Sequence, residues 1–106
     1  MTKKYAVPSI ARAPDSFVQG AKTVTTAGTR VALASSTAIQ CVNIRAKRAN
    51  TGIIYVGDAN VSSSALWAEL YAGEEAYIEV DDLALIYLDS SVSGEGVWFG
   101  YLSDTW

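Results

Sequence analysis

The sequence predicts an all-β protein, an antiparallel β-sandwich or jelly-roll-like barrel of seven or eight short strands, preceded by an extended N-terminal arm. Three observations lead there. Short runs rich in β-branched and aromatic residues either alternate apolar with polar or are apolar throughout. Turn signals built on Gly, Asn, Asp and Ser separate these runs at about 8 to 12 residues. Half of the residues are apolar and 18% are charged, too hydrophobic a chain for disorder, yet no apolar run approaches the ~18 to 20 residues of a membrane span. A chain of 106 residues makes one modest core and buries roughly two-thirds of its surface on folding.

Residues 1–20 carry Pro8 and Pro14, which favour extended geometry and remove two amide donors, so they are assigned to the arm and residues 21–106 to the sandwich domain. Residues 22–26 and 29–34 flank the turn signal Ala27-Gly28 and read as a hairpin. Residues 38–47 read as a longer strand in which the apolar phase slips, from Ile39 and Cys41 to Val42, Ile44 and Ala46. A slip in a two-residue period means either a β-bulge or a strand crossing between sheets. The turn at residues 48–52 leads to Ile53, Ile54, Tyr55 and Val56, apolar on both faces and therefore central in a sheet or at an interface. Residues 65–70 are too short for an independent helix and read as loop then strand. Residues 75–80 alternate, with Ala76, Ile78 and Val80 inward and Tyr77 and Glu79 outward, and residues 83–89 and 97–102 are the last two expected strands.

Charge is segregated. All eight basic residues precede Asn50 with only Asp15 among them, whereas every charge after Asn50 is an acid, so a net charge of −3 conceals segments of +7 and −10. Such a division either neutralises itself within one body or steers assembly between copies. The chain has one cysteine, Cys41, and no histidine. That removes an internal disulfide, cysteine-based zinc sites, His-ligated metals and His-dependent nucleophiles. Lys3 and Lys4 are followed by Pro8, Arg12, Pro14 and Asp15 instead of an apolar stretch, so no secretory signal is expected and synthesis is expected to be cytosolic.

Carboxylates are the catalytic option that remains. Glu79 and Asp81 share a face of one expected strand at a spacing a glycosidase pair can use, against the plainer reading of a solvated acidic edge. Asp58, Asn60, Asp81, Asp82 and Asp89 are hard oxygen donors for calcium, but no EF-hand spacing is present and turn formation accounts for them. Trp67, Trp98 and Trp106, with several tyrosines, suit a core, a subunit interface or a sugar-stacking platform. Arg30, Arg45, Lys47 and Arg48 form a basic cluster, but an isoelectric point near 4.7 argues against nucleic acid and for an acidic protein surface. Asn60-Val61-Ser62 matches a glycosylation sequon without other signs of secretion, and Cys41 reads as a small core residue.

The succession of residues 50–58 (Asn-Thr-Gly-Ile-Ile-Tyr-Val-Gly-Asp), Val61-Ser62-Ser63-Ser64, Ala72-Gly73-Glu74, Asp81-Asp82-Leu83, Ile86-Tyr87-Leu88-Asp89 and Gly94-Glu95-Gly96-Val97 resembles small β-rich structural proteins of tailed bacteriophage particles. The resemblance covers about the C-terminal half. It departs at Ala65-Leu66-Trp67, where a polar, Gly-containing loop is expected. It implies a component added to the head or tail, commonly trimeric and without catalytic residues. The expected function is therefore a capsid decoration (cement) protein that stabilises the head through homotrimeric assembly and arm contacts. Its partners would be itself and the major capsid protein or another virion protein, with no nucleic acid, membrane, metal or cofactor. Arg12, Phe17, Arg45, Lys47, Arg48, Trp67, Trp98 and Trp106 are the expected interface residues. The alternative is a tail or fibre module binding a cell-surface glycan, with Trp67 and Trp98 exposed on one face.

Overall fold

The computed structural model describes residues 13–103. Eight strands form: β1 (Ser16–Val24), β2 (Val31–Ala32), β3 (Cys41–Ala46), β4 (Ile54–Gly57), β5 (Ala68–Leu70), β6 (Glu75–Ile78), β7 (Tyr87–Ser90) and β8 (Glu95–Ser103). Pairing is nested: β1 with β8, β2 with β7, β3 with β6, β4 with β5, all antiparallel. The chain thus pairs as one long hairpin whose closed tip is residues 58–67. Rolling that hairpin sets β8 beside β3 and β7 beside β4, and two sheets result, ordered β1-β8-β3-β6 and β2-β7-β4-β5. This is the strand order of a jelly roll. It is an open sandwich and not a closed barrel, because each sheet keeps two free edges.

Every connection except that from β4 to β5 changes sheet. The turn at Ala27-Gly28 forms, with Gly28 at φ 87°, but it carries the chain from one sheet to the other instead of closing the expected hairpin. The phase slip near Cys41 has the same origin. The ladder from Cys41–Leu102 through Asn43–Gly100 is unbroken, so no bulge is present, and the strand starts at Cys41. Ile39 belongs to the connection, where its amide donates to the Asp81 carbonyl at 3.1 Å and its side chain enters the core. The expected boundary at residue 20 falls inside β1, since Ser16 to Gly20 pair with Ser103 to Gly100; residues 1–12 of the expected arm lie outside the described residues.

Residues 83–89 are not one strand. The Asp82 side chain accepts the Ala84 amide at 3.0 Å, and the Ile86 amide reaches the Leu83 carbonyl at 3.2 Å. This cap tightens Leu83–Leu85 into a 3-10 turn before β7. Elsewhere the pattern holds. β4 is central in its sheet with Ile54, Tyr55 and Val56 buried, and Val24, Leu33, Val42, Ile44, Leu83, Leu88 and Val97 close the core between the sheets.

The lower end of the sandwich holds the start of β1, the end of β8 and the connections 33–40, 58–67 and 79–86. The upper end holds the connections 25–30, 47–53, 71–74 and 91–94. There the turn into β4 is clamped to β8. Buried Asn50 donates to the Gly96 carbonyl at 2.9 Å, and the Glu95 carboxylate accepts the Thr51 amide at 2.6 Å and the Gly52 amide at 2.9 Å.

Candidate functional site

Alternation along β8 places Val97 and Phe99 inward and Trp98, Gly100 and Leu102 on the outer face of the β1-β8-β3-β6 sheet. Register then fixes their neighbours. Trp98 lies between Ala21 and Arg45, Gly100 between Gln19 and Asn43, and Leu102 between Phe17 and Cys41. Asn43 in turn adjoins Tyr77, and Arg45 adjoins Glu75. Because Gly100 has no side chain, the middle row sinks, and a shallow cavity of about 300 Å³ opens between Phe17 and Trp98, with Gln19, Asn43 and Arg45 on its walls. A Cβ on Gly100 would stand 3.0 Å from the Phe17 ring, so Phe17 leans over the furrow.

The face is aromatic and open. Phe17 is 69% exposed, and Trp98 and Tyr77 are each 56% exposed. Its polar groups are partly committed to one another. The Lys47 ammonium sits 4.8 Å from the centre of the Trp98 ring, a cation–π contact that holds the indole in place. The Asn43 amide donates to Glu75, and the Tyr77 hydroxyl donates to Glu79 at 3.0 Å. Hydrogen bonding with Cys41, then with Glu79, pushes the Tyr77 phenol up to about 12. Cys41 is a free, buried thiol. The surface offers stacking area and directed polar groups, the chemistry of docking.

The expected residues are distributed unevenly. Phe17, Arg45, Lys47 and Trp98 come together on this face, and Arg48 is exposed in the turn just beyond β3. Arg30 precedes β2 of the other sheet, so the basic cluster is smaller than expected. Arg12 and Trp106 lie outside the described residues. Trp67 is exposed but leads into β5, lining a separate cavity at the lower end with Leu66, Val80 and Leu85. It shares no face with Trp98, which overturns the pairing expected for a glycan platform. Gly100, Asn43, Gln19 and Tyr77 were legible only as an alternation, since nothing local says which side of a two-sided strand stays uncovered.

The carboxylates turn out to be fasteners. Asp82 accepts the Ala84 and Thr37 amides and the Ser36 hydroxyl, and these bonds, in that order, hold its carboxyl below the usual range. Glu95 is lowered chiefly by the Thr51 amide. Asp58 accepts the Asn60 amide at 2.9 Å, and buried Asp89 accepts the Gly28 amide at 2.9 Å. Glu79 is engaged by Tyr77, and neither of these two cavities is lined by Glu79 or Asp81. Among the described residues no group of three or more His, Cys, Asp or Glu side chains is placed to hold a metal ion.

Comparison with family models, curated proteins and solved structures finds no match to this chain.

Proposed function

We propose that the protein is a structural assembly module, a virion component of a tailed bacteriophage that decorates the capsid as a homotrimer. The observation that carries this reading is the open aromatic face of the β1-β8-β3-β6 sheet, with Phe17, Trp98 and Tyr77 presented to solvent beside a satisfied core. Exposed aromatic residues gathered with an arginine and amide groups are the composition of a contact site. The virion context rests on the resemblance of the turn and strand motifs in the C-terminal half. Four strands at about 4.8 Å spacing and up to nine residues long give a face on the order of 500 Å². A standard interface buries roughly 800 Å² per partner, so this face needs supplementary contacts to hold a stable oligomer. Each added contact favours the assembled shell by mass action.

The test is the composition of purified particles. A decoration protein is present in copies comparable to the capsid lattice, and its removal lowers the temperature at which heads release DNA. Absence from particles would refute the assignment.

The furrow itself favours a second reading. A ring-sized depression between Phe17 and Trp98, walled by Gln19, Asn43 and Arg45, has the elements of a sugar site, aromatic stacking and directed hydrogen bonds. A glycan array probed with the protein and with Trp98→Ala separates the two: a signal lost in the variant supports recognition, and a blank array supports assembly.

A further inference from the structure

We propose that the lower-end cavity receives the N-terminal residues 1–12 of a neighbouring copy. The cavity has a volume of about 640 Å³ and is lined by Val56, Leu66, Trp67, Val80, Leu85 and Ile86, within the range of built ligand pockets. Its walls are apolar, and its two rim residues Asp58 and Asn60 are polar. Leu85, 55% exposed, and Trp67, 62% exposed, stand at its mouth with no cover from the described body.

Charge identifies the occupant. Asp58, Glu79, Asp81 and Asp82 all lie in the lower-end connections 58–67 and 79–86, and no described lysine or arginine is there. The described bases sit toward the opposite end. Lys22 is two residues from the upper end of β1, Arg45 one residue from the upper end of β3, Lys47 and Arg48 in the turn beyond it, and Arg30 in the turn before β2. Asp58 on the rim, with the other three acids in the connections at the same end, favours a cationic segment with apolar side chains. Residues 1–12 have that composition: Lys3, Lys4 and Arg12 with Tyr5, Val7 and Ile10, and no acid.

Placement agrees. The described chain enters at Ala13, at the same lower end, beside the end of β8. The cavity, however, lies by β6, and β6 is separated from β1 by three strand spacings, about 14 Å. Twelve extended residues span up to about 40 Å, enough to cross that distance or to enter a neighbouring body, and it is the second that assembly requires. Such an exchange would supply the area that the aromatic face lacks. In that respect the inference rests on the assembly reading, but it concerns a different surface.

Disulfide trapping in full-length protein tests it. Three variants are made, Ile10→Cys, Leu85→Cys and Thr25→Cys, the last at the upper end as a control. Leu85 and Thr25 lie outside the packed core, and native Cys41 is buried. Equimolar mixtures are oxidised gently and resolved without reductant. Docking raises the effective concentration of the paired thiols, so Ile10→Cys with Leu85→Cys should give a covalent pair in roughly tenfold excess over Ile10→Cys with Thr25→Cys. The excess should shrink in 1 M salt and with Lys3→Glu/Lys4→Glu. Equal yields at the two ends would overturn the proposal. So would closure within a doubly substituted Ile10→Cys/Leu85→Cys chain without cross-linking between chains. Sizing of the unsubstituted protein keeps the two readings apart: an oligomer without the cross-link removes this inference alone, and a cross-link between otherwise monomeric chains removes the aromatic-face assembly alone.

Discussion

Replacing Gly96 by alanine should cost far more than the same change four residues later in the same strand. A Cβ on Gly96 would stand 2.2 Å from the Lys22 carbonyl oxygen and 2.9 Å from the Thr23 Cα. Both are backbone atoms of β1, and neither has a rotamer in which to retreat. The same residue receives Asn50 and the Lys47 amide on its carbonyl, so moving β8 away from β1 also loosens the clamp on the turn into β4. Overpacking of a tight site costs about 1 to 3 kcal/mol, and with backbone on the opposing side the upper value applies. At about 4 to 8 °C per kcal/mol for a domain of this size, the melting temperature should fall by about 12 °C or more. Gly100→Ala is crowded by the exposed Phe17 ring, at 3.0 Å, while the nearest backbone atom, the Val18 carbonyl oxygen, stands at an ordinary 3.9 Å. That ring can turn aside, and the change should stay within about 1 kcal/mol. Thermal unfolding followed by circular dichroism at matched concentration is the assay. Equal shifts for the two variants would refute the claim that β1 lies closed against β8 at Gly96.

Three further outcomes follow from the same structure. Ile44 is fully buried between the sheets, and Ile44→Ala should cost about 2 to 5 kcal/mol in a denaturant titration; a loss below 1 kcal/mol would mean that β3 does not face the core. Asp82 and Glu95 have lowered folded values, so their contribution is present above the ordinary carboxylate range and is lost as pH falls through the folded values. Denaturation midpoints at pH 7 and pH 3 should therefore differ less in Asp82→Asn than in the parent, and an unchanged difference would contradict the capping role. Tyr77 is raised to about 12, so its contribution is intact below pH 10 and is lost as pH rises through about 12; ultraviolet titration should show one phenol ionising late, absent in Tyr77→Phe.

Much of the fold was legible because alternation is a local property. Ala76, Tyr77 and Ile78 of β6 lie on the sides the period assigns, and the two-sided apolar run at Ile54 to Val56 is central, as its coverage requires. Positive-φ glycines fall at Gly28, Gly73 and Gly94, at the expected turns. Pairing was not legible. Ser16 meets Ser103 and Val24 meets Glu95, contacts between opposite ends of the chain that no short window contains. The expected hairpin at residues 22–34 failed for that reason, since Ala27-Gly28 supplies a turn but not the sheet its outgoing strand will join. The 3-10 turn at Leu83 depended on one carboxylate, Asp82, capping an apolar run that reads equally well as strand. The site was half legible: Phe17 and Trp98 were named as contact residues, but their proximity comes from Phe17 lying opposite Leu102, two rows from Trp98 along the β1–β8 ladder.

The surplus of exposed apolar surface is also narrower than the sequence suggested. Tyr55 is only 8% exposed, so the second face of β4 is covered within the chain, and the excess resides in the aromatic sheet face and the lower-end cavity.

Whether this aromatic face joins copies of the chain is decided by sedimentation velocity across a micromolar concentration series, comparing the parent with Phe17→Glu/Trp98→Glu. Both side chains are exposed, so the variant should keep the parent's circular dichroism spectrum and melting temperature measured at high dilution. The parent should form a concentration-dependent oligomer, best described as a trimer, and the variant should stay a monomer throughout. A parent that sediments as a monomer over the whole series, or a variant that associates as the parent does, would contradict assembly through this face.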